Sequence, residues 1–339
     1  MKETLTKMRK NSKQFAIYTA VLLLFISVAT ALRTAACFRD LNFSTGYFGS
    51  QTLIDVSRWI AVISAVLAFM HLAFGARHTP APTRPSAISY IPSGAVATAI
   101  LFLSLELFSS YKARQPITAR SASAILELVC GVLALLAIFA FFLDVYAERR
   151  ENYKKAYFFM AASLLFAVYA AYLYFDTALP INAPNKIAEE MAFLFSAIYF
   201  VNEARIALGR SFWRAHTAFG LIATLITVYT SGPALILYFA KGEVITSSPI
   251  SALLMLLVAV YALMRVFNFK LAPEDEKSEA AKTVDTIYED RLASVKGEFA
   301  IARDDINVEN HEGEVQNYEI QLPESEEAYT EEANEDGEI

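Results

Sequence analysis

The sequence predicts an all-α, polytopic transmembrane helix bundle with eight spans, followed by a mostly disordered acidic C-terminal tail. Three observations support this prediction. Apolar residues make up 55% of the chain and charged residues only 19%. Eight apolar runs are long enough for a hydrocarbon core that needs about 20 helical residues. Finally, residues 271–339 contain 22 Asp/Glu and 5 Lys/Arg, whereas residues 1–270 contain 13 Asp/Glu and 24 Lys/Arg.

The eight apolar runs divide the chain into a short N-terminus, a membrane domain and a tail. They lie at 15–33, 53–75, 87–109, 121–146, 154–175, 187–208, 215–239 and 249–269. Because lipid cannot satisfy a backbone N–H or C=O group, these runs must be helices, and none alternates like a barrel strand. We therefore assign 1–14 to a basic N-terminus, 15–270 to the transmembrane domain and 271–339 to the tail. About 110 residues of the first 270 remain outside the spans, which is too few for a soluble catalytic domain.

The first span has an alternative interpretation as a secretory signal. Basic residues precede the apolar stretch 15–28, and the small residues 29–31 are typical of a cleavage site. Cleavage would leave seven helices and an outside N-terminus. We favour an uncleaved helix, because the apolar run continues to Leu32.

The distribution of basic residues predicts the orientation in the membrane. The N-terminus and the even-numbered loops hold 13 Lys/Arg, among them Lys155, whereas the odd-numbered loops hold 7, among them Arg33 and Lys186. The positive-inside rule therefore predicts a cell-membrane protein with both termini in the cytoplasm. Membrane lipids are its expected surroundings.

Metal, cofactor and nucleotide sites are not indicated. The two cysteines, Cys37 and Cys130, cannot form a four-thiolate site, and no two histidines are spaced i, i+4. His71 and His216 both fall near the predicted cytoplasmic face, where we favour a solvated or hydrogen-bonded role over a metal or haem clamp. No glycine-rich phosphate loop or nucleophile–base set is present. We expect no cofactor, no metal, no nucleic-acid partner and, on balance, no enzyme.

Charged residues inside the spans are the candidate functional residues. A charged side chain at the bilayer centre makes membrane insertion less favourable by about 2.5–3.5 kcal/mol, so its presence needs an explanation. One layer enters from the predicted outer face and contains Arg58, Glu106 and Glu127. A second layer lies at the inner face and consists of His71, Asp144, Glu203, Arg205 and Arg265.

Two interpretations of these layers remain open. The simpler one is structural, with arginines that reach the headgroups and carboxylates that pair with a neighbouring helix. The alternative is an outward crevice on the second, third and fourth spans, in which Arg58, Glu106 and Glu127 bind a solute or pass a proton.

The sixth span carries a polar stripe. Polar and charged residues recur there every seven positions, which on a helix falls about 20° short of two turns: they are Glu189, Ser196, Glu203 and Arg210, with Tyr199 and Asn202 beside them. Lipid would not tolerate this face, so it must turn towards the bundle or towards water. A hydrogen-bonded helix contact is the favoured interpretation, and the wall of a substrate path is the alternative.

The tail contains two segments with a pattern of their own. Apolar residues at helical spacing predict an amphipathic helix over about 280–302, and the chain beyond it is predicted to be disordered. In the stretch 317–322, apolar side chains alternate at Tyr318, Ile320 and Leu322. Such a peptide can add a strand to the sheet edge of a partner protein.

These observations favour a non-enzymatic membrane regulatory or interaction protein that recruits a basic cytoplasmic partner through its acidic tail. The alternative is a secondary transporter or channel that uses the Arg and Glu groups inside the spans. Transporters often contain a pair of broken helices, whereas here the Gly232–Pro233 step in the seventh span is the only break in the middle of a span.

Overall fold

The computed structural model describes residues 2–43, 45–74, 79–81, 87–113, 121–146, 153–176, 180–208, 213–267 and 270–272. The chain divides into two compact units, Met1–Asp285 and Thr286–Ile339, and all described residues belong to the first. The tail beyond 272, with the predicted helix over 280–302 and the candidate residues Tyr318, Ile320 and Leu322, lies outside the described residues.

The described part of the chain contains eight α-helices, as predicted. They are α1 (Lys2–Asp40), α2 (Thr52–Phe74), α3 (Ala87–Ala113), α4 (Ala122–Tyr146), α5 (Tyr153–Phe175), α6 (Pro184–Ala207), α7 (Trp213–Lys241) and α8 (Pro249–Phe267). Two three-residue strands, β1 (Thr79–Ala81) and β2 (Lys270–Ala272), pair antiparallel. The all-α helix bundle is confirmed; this small ribbon and a single bridge between Leu41 and Phe48 are the β-structure among the described residues.

Seven of the helices are long and apolar enough to cross a membrane, so the chain is a multi-pass membrane protein. The spans are Phe15–Asp40, Thr52–His71, Tyr90–Ala113, Ala122–Val145, Tyr153–Phe175, Arg214–Lys241 and Pro249–Phe267. The eighth helix, α6, is 24 residues long and therefore reaches about 36 Å. It is more polar than the others because it carries five charged residues, of which Lys186, Glu189 and Glu203 are buried.

The first span extends further than the sequence predicts. Its apolar part runs from Phe15 to Asp40 rather than ending at residue 33. Arg33 is consequently a buried residue inside α1 and not a loop residue as expected. Lys155 and Lys186 were likewise expected in loops, and the structure buries both inside helices.

Helices α3 to α8 form a closed ring. Each packs against the next along the chain, and α8 packs back onto α3. Helices α1 and α2 pack against each other and against α7, outside this α3–α8 ring. Helix α7 therefore belongs to both groups, with α6 and α8 as ring neighbours and α1 and α2 on another side.

An aromatic core fills the interior between the helices of the ring. It consists of Phe141, Phe159, Phe166, Phe193, Phe200 and Tyr261, all of them buried. Phe200 lies at its centre, with ring centroids 5.2 Å from Phe166 and 5.6 Å from Phe141. Along α6, Phe193 and Phe200 fall between Glu189 and Glu203. The aromatic core therefore separates the two ends of the polar stripe.

Candidate functional site: two polar clusters in the α3–α8 ring

The first polar cluster joins the ends of α4, α6 and α8 to the start of α5. This ion-pair cluster consists of Asp144, Lys155, Glu203 and Arg265, whose side chains are each at most 5% exposed. Arg265 bridges both carboxylates, with Nη1 3.2 Å from Asp144 Oδ1 and Nη2 2.6 Å from Glu203 Oε2. The ammonium group of Lys155 donates to Asp144. Two cations thus balance two carboxylates, as burial in a low-dielectric core requires.

Hydroxyl groups and a histidine complete the surroundings of the ion-pair cluster. Tyr199 donates to Glu203 Oε1 at 2.6 Å, and Ser93 donates to Asp144 Oδ2 at 2.7 Å. The Tyr261 hydroxyl lies 3.4 Å from Asp144 Oδ2. His216 Nε2 lies 3.7 Å from Glu203 Oε1.

Every helix of the ring contributes a side chain to this end. Ser93 comes from α3, Asp144 from α4, Lys155 from α5, Glu203 from α6, His216 from α7 and Arg265 from α8. The ion-pair cluster and the side chains around it therefore bring all six helices into contact at one end of the ring.

The second cluster lies at the other end of α6, where the α7–α8 loop enters α8. This serine–glutamate cluster consists of Glu106, Glu189, Ser247, Ser248 and Ser251. Helix α8 begins with Pro249, and Ser248 precedes it as the N-cap. Ser248 Oγ accepts from the Ser251 N–H at 3.0 Å, and Ser251 Oγ accepts from the Ser248 N–H at 3.3 Å. This reciprocal capping satisfies two backbone donors and fixes the serine side chains in place.

The fixed serines surround the Glu189 carboxylate. Its Oε2 accepts from the Ser247 N–H at 2.8 Å, and its Oε1 lies 2.5 Å from Ser247 Oγ and 2.8 Å from Ser251 Oγ. Glu189 is only 3% exposed. All three hydrogen bonds to it come from neutral groups, in contrast to the carboxylates of the ion-pair cluster.

Glu106 and a tyrosine extend the serine–glutamate cluster to other helices. Ser248 Oγ donates to Glu106 Oε2 of α3 at 2.9 Å. The Tyr169 hydroxyl of α5 lies 3.0 Å from Ser247 Oγ. The Tyr169 ring in turn lies 4.6 Å from that of Phe193, at the edge of the aromatic core. Oxygen atoms from α3, α5, α6 and α8 thus meet here, a chemistry that suits a proton or a hard cation.

The structure brings together some of the residues that the sequence singles out. Asp144, Glu203, Arg265 and Tyr199 meet in or beside the ion-pair cluster. Glu106 and Glu189, which the sequence analysis treated separately, share the serine–glutamate cluster.

Other predicted residues lie elsewhere. Arg58 donates to Asp55 of its own helix at 2.9 Å, and both side chains are more than 40% exposed. Arg58 therefore does not form the expected crevice with Glu106 and Glu127. The reason is that α2 packs on α1 and α7, whereas α3 and α4 belong to the ring. Glu127 is buried on α4 near Cys130.

Two further predicted residues stand apart from both clusters. His71 lies beside the rings of Phe15 and Tyr18, with centroids 5.5 and 5.9 Å away. Arg205 is half-buried near the end of α6.

Several residues of the two clusters were missed by sequence reasoning. Lys155 was counted as a loop charge, although α5 begins two residues before it. Ser248 carried a usable signal, because Ser at the N-cap followed by Pro at the first helical position is typical of a helix start. Arg33, which lies outside both clusters, had no such signal, since its partners lie on distant helices.

Comparison with known proteins adds no assignment. No protein-family model, no curated protein and no solved structure matches this chain. Among the residues that the structure describes, no group of three or more His, Cys, Asp and Glu side chains is placed to hold a metal ion. The geometry of the two clusters is therefore what indicates a function.

Proposed function

We propose that this multi-pass membrane protein is a secondary transporter of protons or small monovalent cations, with Glu189 as the group that binds the transported ion. The observation that supports this is the buried Glu189 carboxylate, whose hydrogen-bond donors are all neutral. An uncompensated buried carboxylate is unfavourable, so Glu189 is most stable when it holds a proton or a cation. Ionisable groups with this environment in membrane proteins commonly mark ion or proton pathways.

The arrangement favours a transporter over an open channel. The aromatic core closes the ring between the serine–glutamate cluster and the ion-pair cluster. An ion bound at Glu189 can cross only if the helices rearrange, which is how transporters alternate access. The ion-pair cluster, which joins α4, α5, α6 and α8 at the other end, is suited to hold the resting arrangement.

The test is ion flux into liposomes that contain the purified full-length chain. A pH-sensitive dye reports proton flux, and parallel assays with Na⁺ and K⁺ gradients separate the two classes of ion. We expect Glu189→Gln to abolish flux while the protein elutes as a folded species in detergent. Glu190→Gln is the matched control, because this carboxylate is the next residue on the same helix but lies outside the serine–glutamate cluster.

Two results would contradict this proposal. The first is a wild-type chain that moves no ion faster than empty liposomes do. The second is a folded Glu189→Gln variant with undiminished flux.

We also propose a second function, which depends on the charge of the tail: recruitment of a basic cytoplasmic protein by residues 271–339. This segment holds 22 acidic and 5 basic residues, and a tail of that charge is repelled by the anionic inner leaflet. The proposal includes the expected cell-membrane location with both termini in the cytoplasm. Tyr318, Ile320 and Leu322 are its candidate contact residues.

Affinity purification from native membranes tests this second function. The full chain is compared with a chain that ends at residue 270 and with a variant in which Tyr318, Ile320 and Leu322 are changed to Ala. We expect a basic partner to accompany the full chain and to be lost from the truncated one. Identical co-purifying proteins in both samples would argue against recruitment by the tail.

A further inference from the structure

Helix α7 contains a break in its backbone hydrogen bonding that another helix repairs. Pro233 has no N–H, so it cannot donate to the carbonyl of Tyr229 four residues before it. Arg33 of α1 takes this place, with Nη1 3.4 Å from Tyr229 O. The Arg33 guanidinium carbon also lies 4.4 Å from the centroid of the Tyr229 ring. Arg33 therefore holds both the backbone and the side chain of the residue whose helical bond is missing.

The environment of Arg33 shows that it is committed to this position. Its side chain is 2% exposed, and Nη2 donates to Asn185 Oδ1 in the first turn of α6 at 2.8 Å. Its hydrogen-bond partners are a carbonyl, an amide and the thiol of Cys37, all neutral, and its Nε has no hydrogen-bond partner. A buried cation in such surroundings is costly to retain merely for helix packing.

Two further contacts converge on the same point of α7. The Tyr229 hydroxyl lies 3.0 Å from Ser57 Oγ of α2. A Cβ atom on Gly232 would lie 2.7 Å from Thr30 Cγ2 of α1, so the absence of a side chain allows α1 to approach the break. Helices α1, α2 and α6 all contact α7 where its own hydrogen bonding is weakest.

From this geometry we infer that α7 is hinged at Gly232–Pro233 and that Arg33 is the clamp that keeps the hinge closed. The part of α7 before the hinge carries His216 to the ion-pair cluster. The part after it leads through residues 242–246 to the serines around Glu189. Opening of the hinge would move the second part of α7, and with it the loop that carries Ser247, relative to Glu189 of α6. Such a hinge can open and close whatever the ring transports.

A double-mutant cycle measured by amide hydrogen exchange tests the clamp. The full chain in detergent is compared with Arg33→Met, Pro233→Ala and the double variant. Arg33→Met should speed exchange of residues 230–241 by about ten-fold or more while residues 216–226 remain protected, because the effect is a local opening. Pro233→Ala supplies the missing N–H, so the double variant should exchange at nearly the wild-type rate.

Matched controls keep the test decisive. Arg39→Met removes an exposed arginine from the same helix and should leave exchange in α7 unchanged. If Arg33→Met does not fold, Arg33→Lys is used instead, which keeps the positive charge. It should still weaken the clamp, because an ammonium cannot both stack on Tyr229 and donate to two separated acceptors as a guanidinium does. If neither variant folds, recovery of folding by Pro233→Ala supports the clamp, and lack of recovery overturns it.

Three other outcomes would also overturn the inference. They are unchanged exchange in a folded Arg33→Met variant, an increase spread evenly over α7, and effects of the two substitutions that simply add. None of these depends on ion flux, so a failure of the clamp and a failure of the proposed transport are distinguishable.

Discussion

Lys155 illustrates how strongly a single buried charge depends on its partners. Its side chain is 1% exposed, and it shares Asp144 with Arg265. The cluster is neutral only when two cations face Asp144 and Glu203. Removal of one partner leaves a buried charge that nothing balances.

At the residue scale we predict that Lys155→Met lowers the free energy of unfolding by about 3–5 kcal/mol. Asp144→Asn combined with Lys155→Met removes one charge of each sign and should recover most of that loss. Unfolding in detergent or mixed micelles measures both. Lys154→Met is the control, because this neighbouring lysine is exposed and its loss should change stability by no more than about 0.5 kcal/mol. Equal effects of the two lysine substitutions would contradict the assigned role of Lys155.

At the scale of the helices, close approach of α6, α7 and α8 is what brings the ion-pair cluster together. Gly220 of α7 faces the other two helices: an added Cβ would lie 2.7 Å from Val266 Cγ2 and 3.3 Å from the Tyr199 ring. Val266 follows Arg265 directly, and Tyr199 bonds Glu203. The spacing of these helices therefore controls the distances between the charged groups.

We expect Gly220→Ala to cost about 1–3 kcal/mol, the range found when a packed core is overfilled. The matched control is Gly94→Ala in α3, where nothing lies within 4 Å of the added Cβ. That change should leave stability unchanged or raise it by up to about 1 kcal/mol, because Ala favours helix more than Gly does. Thermal unfolding of both variants in the same detergent measures this difference. A Gly220→Ala variant as stable as the wild type would contradict the prediction, because it would show that α7 can move away from α6 and α8 at no cost.

At the scale of the whole molecule, the number of membrane crossings determines whether the two termini lie on the same side. Seven helices meet the length and polarity of a membrane span, and α6 is as long as they are although more polar. We expect α6 to cross as well, because it buries Glu189 and Glu203 inside the α3–α8 ring while Met191, Leu194 and Ile198 form an exposed apolar side.

We therefore predict eight crossings, which place the N- and C-terminal ends on the same side of the membrane. Protease or antibody accessibility of tags at the two ends of the full chain, in intact cells and in inverted vesicles, measures this. Both tags should become accessible in the same preparation. Tags on opposite sides would mean an odd number of crossings, and loss of the N-terminal tag would instead indicate cleavage of the first span.

Much of the fold was predictable from the sequence, for a local reason. Each apolar run identifies a helix by itself, because a membrane demands about 20 apolar residues with satisfied backbone groups. The polar stripe on α6 and the inner-layer residues Asp144, Glu203 and Arg265 were visible in the same way, since a charge inside an apolar run is conspicuous. The eight helices and the all-α class follow from such evidence alone.

Only the tertiary structure decided which of these residues meet. Helices α3 to α8 close into a ring and leave α1 and α2 outside it, which separates Arg58 from Glu106. The same closure brings Glu106 and Glu189 together through Ser248 and Ser251. It also turned Lys155 and Arg33 from expected loop residues into buried ones. Helix formation depends on neighbours along the chain, whereas the partner of a buried charge depends on the rotation and packing of helices far apart in sequence. The apolar pattern therefore determined the spans, and the packing alone determined the candidate site.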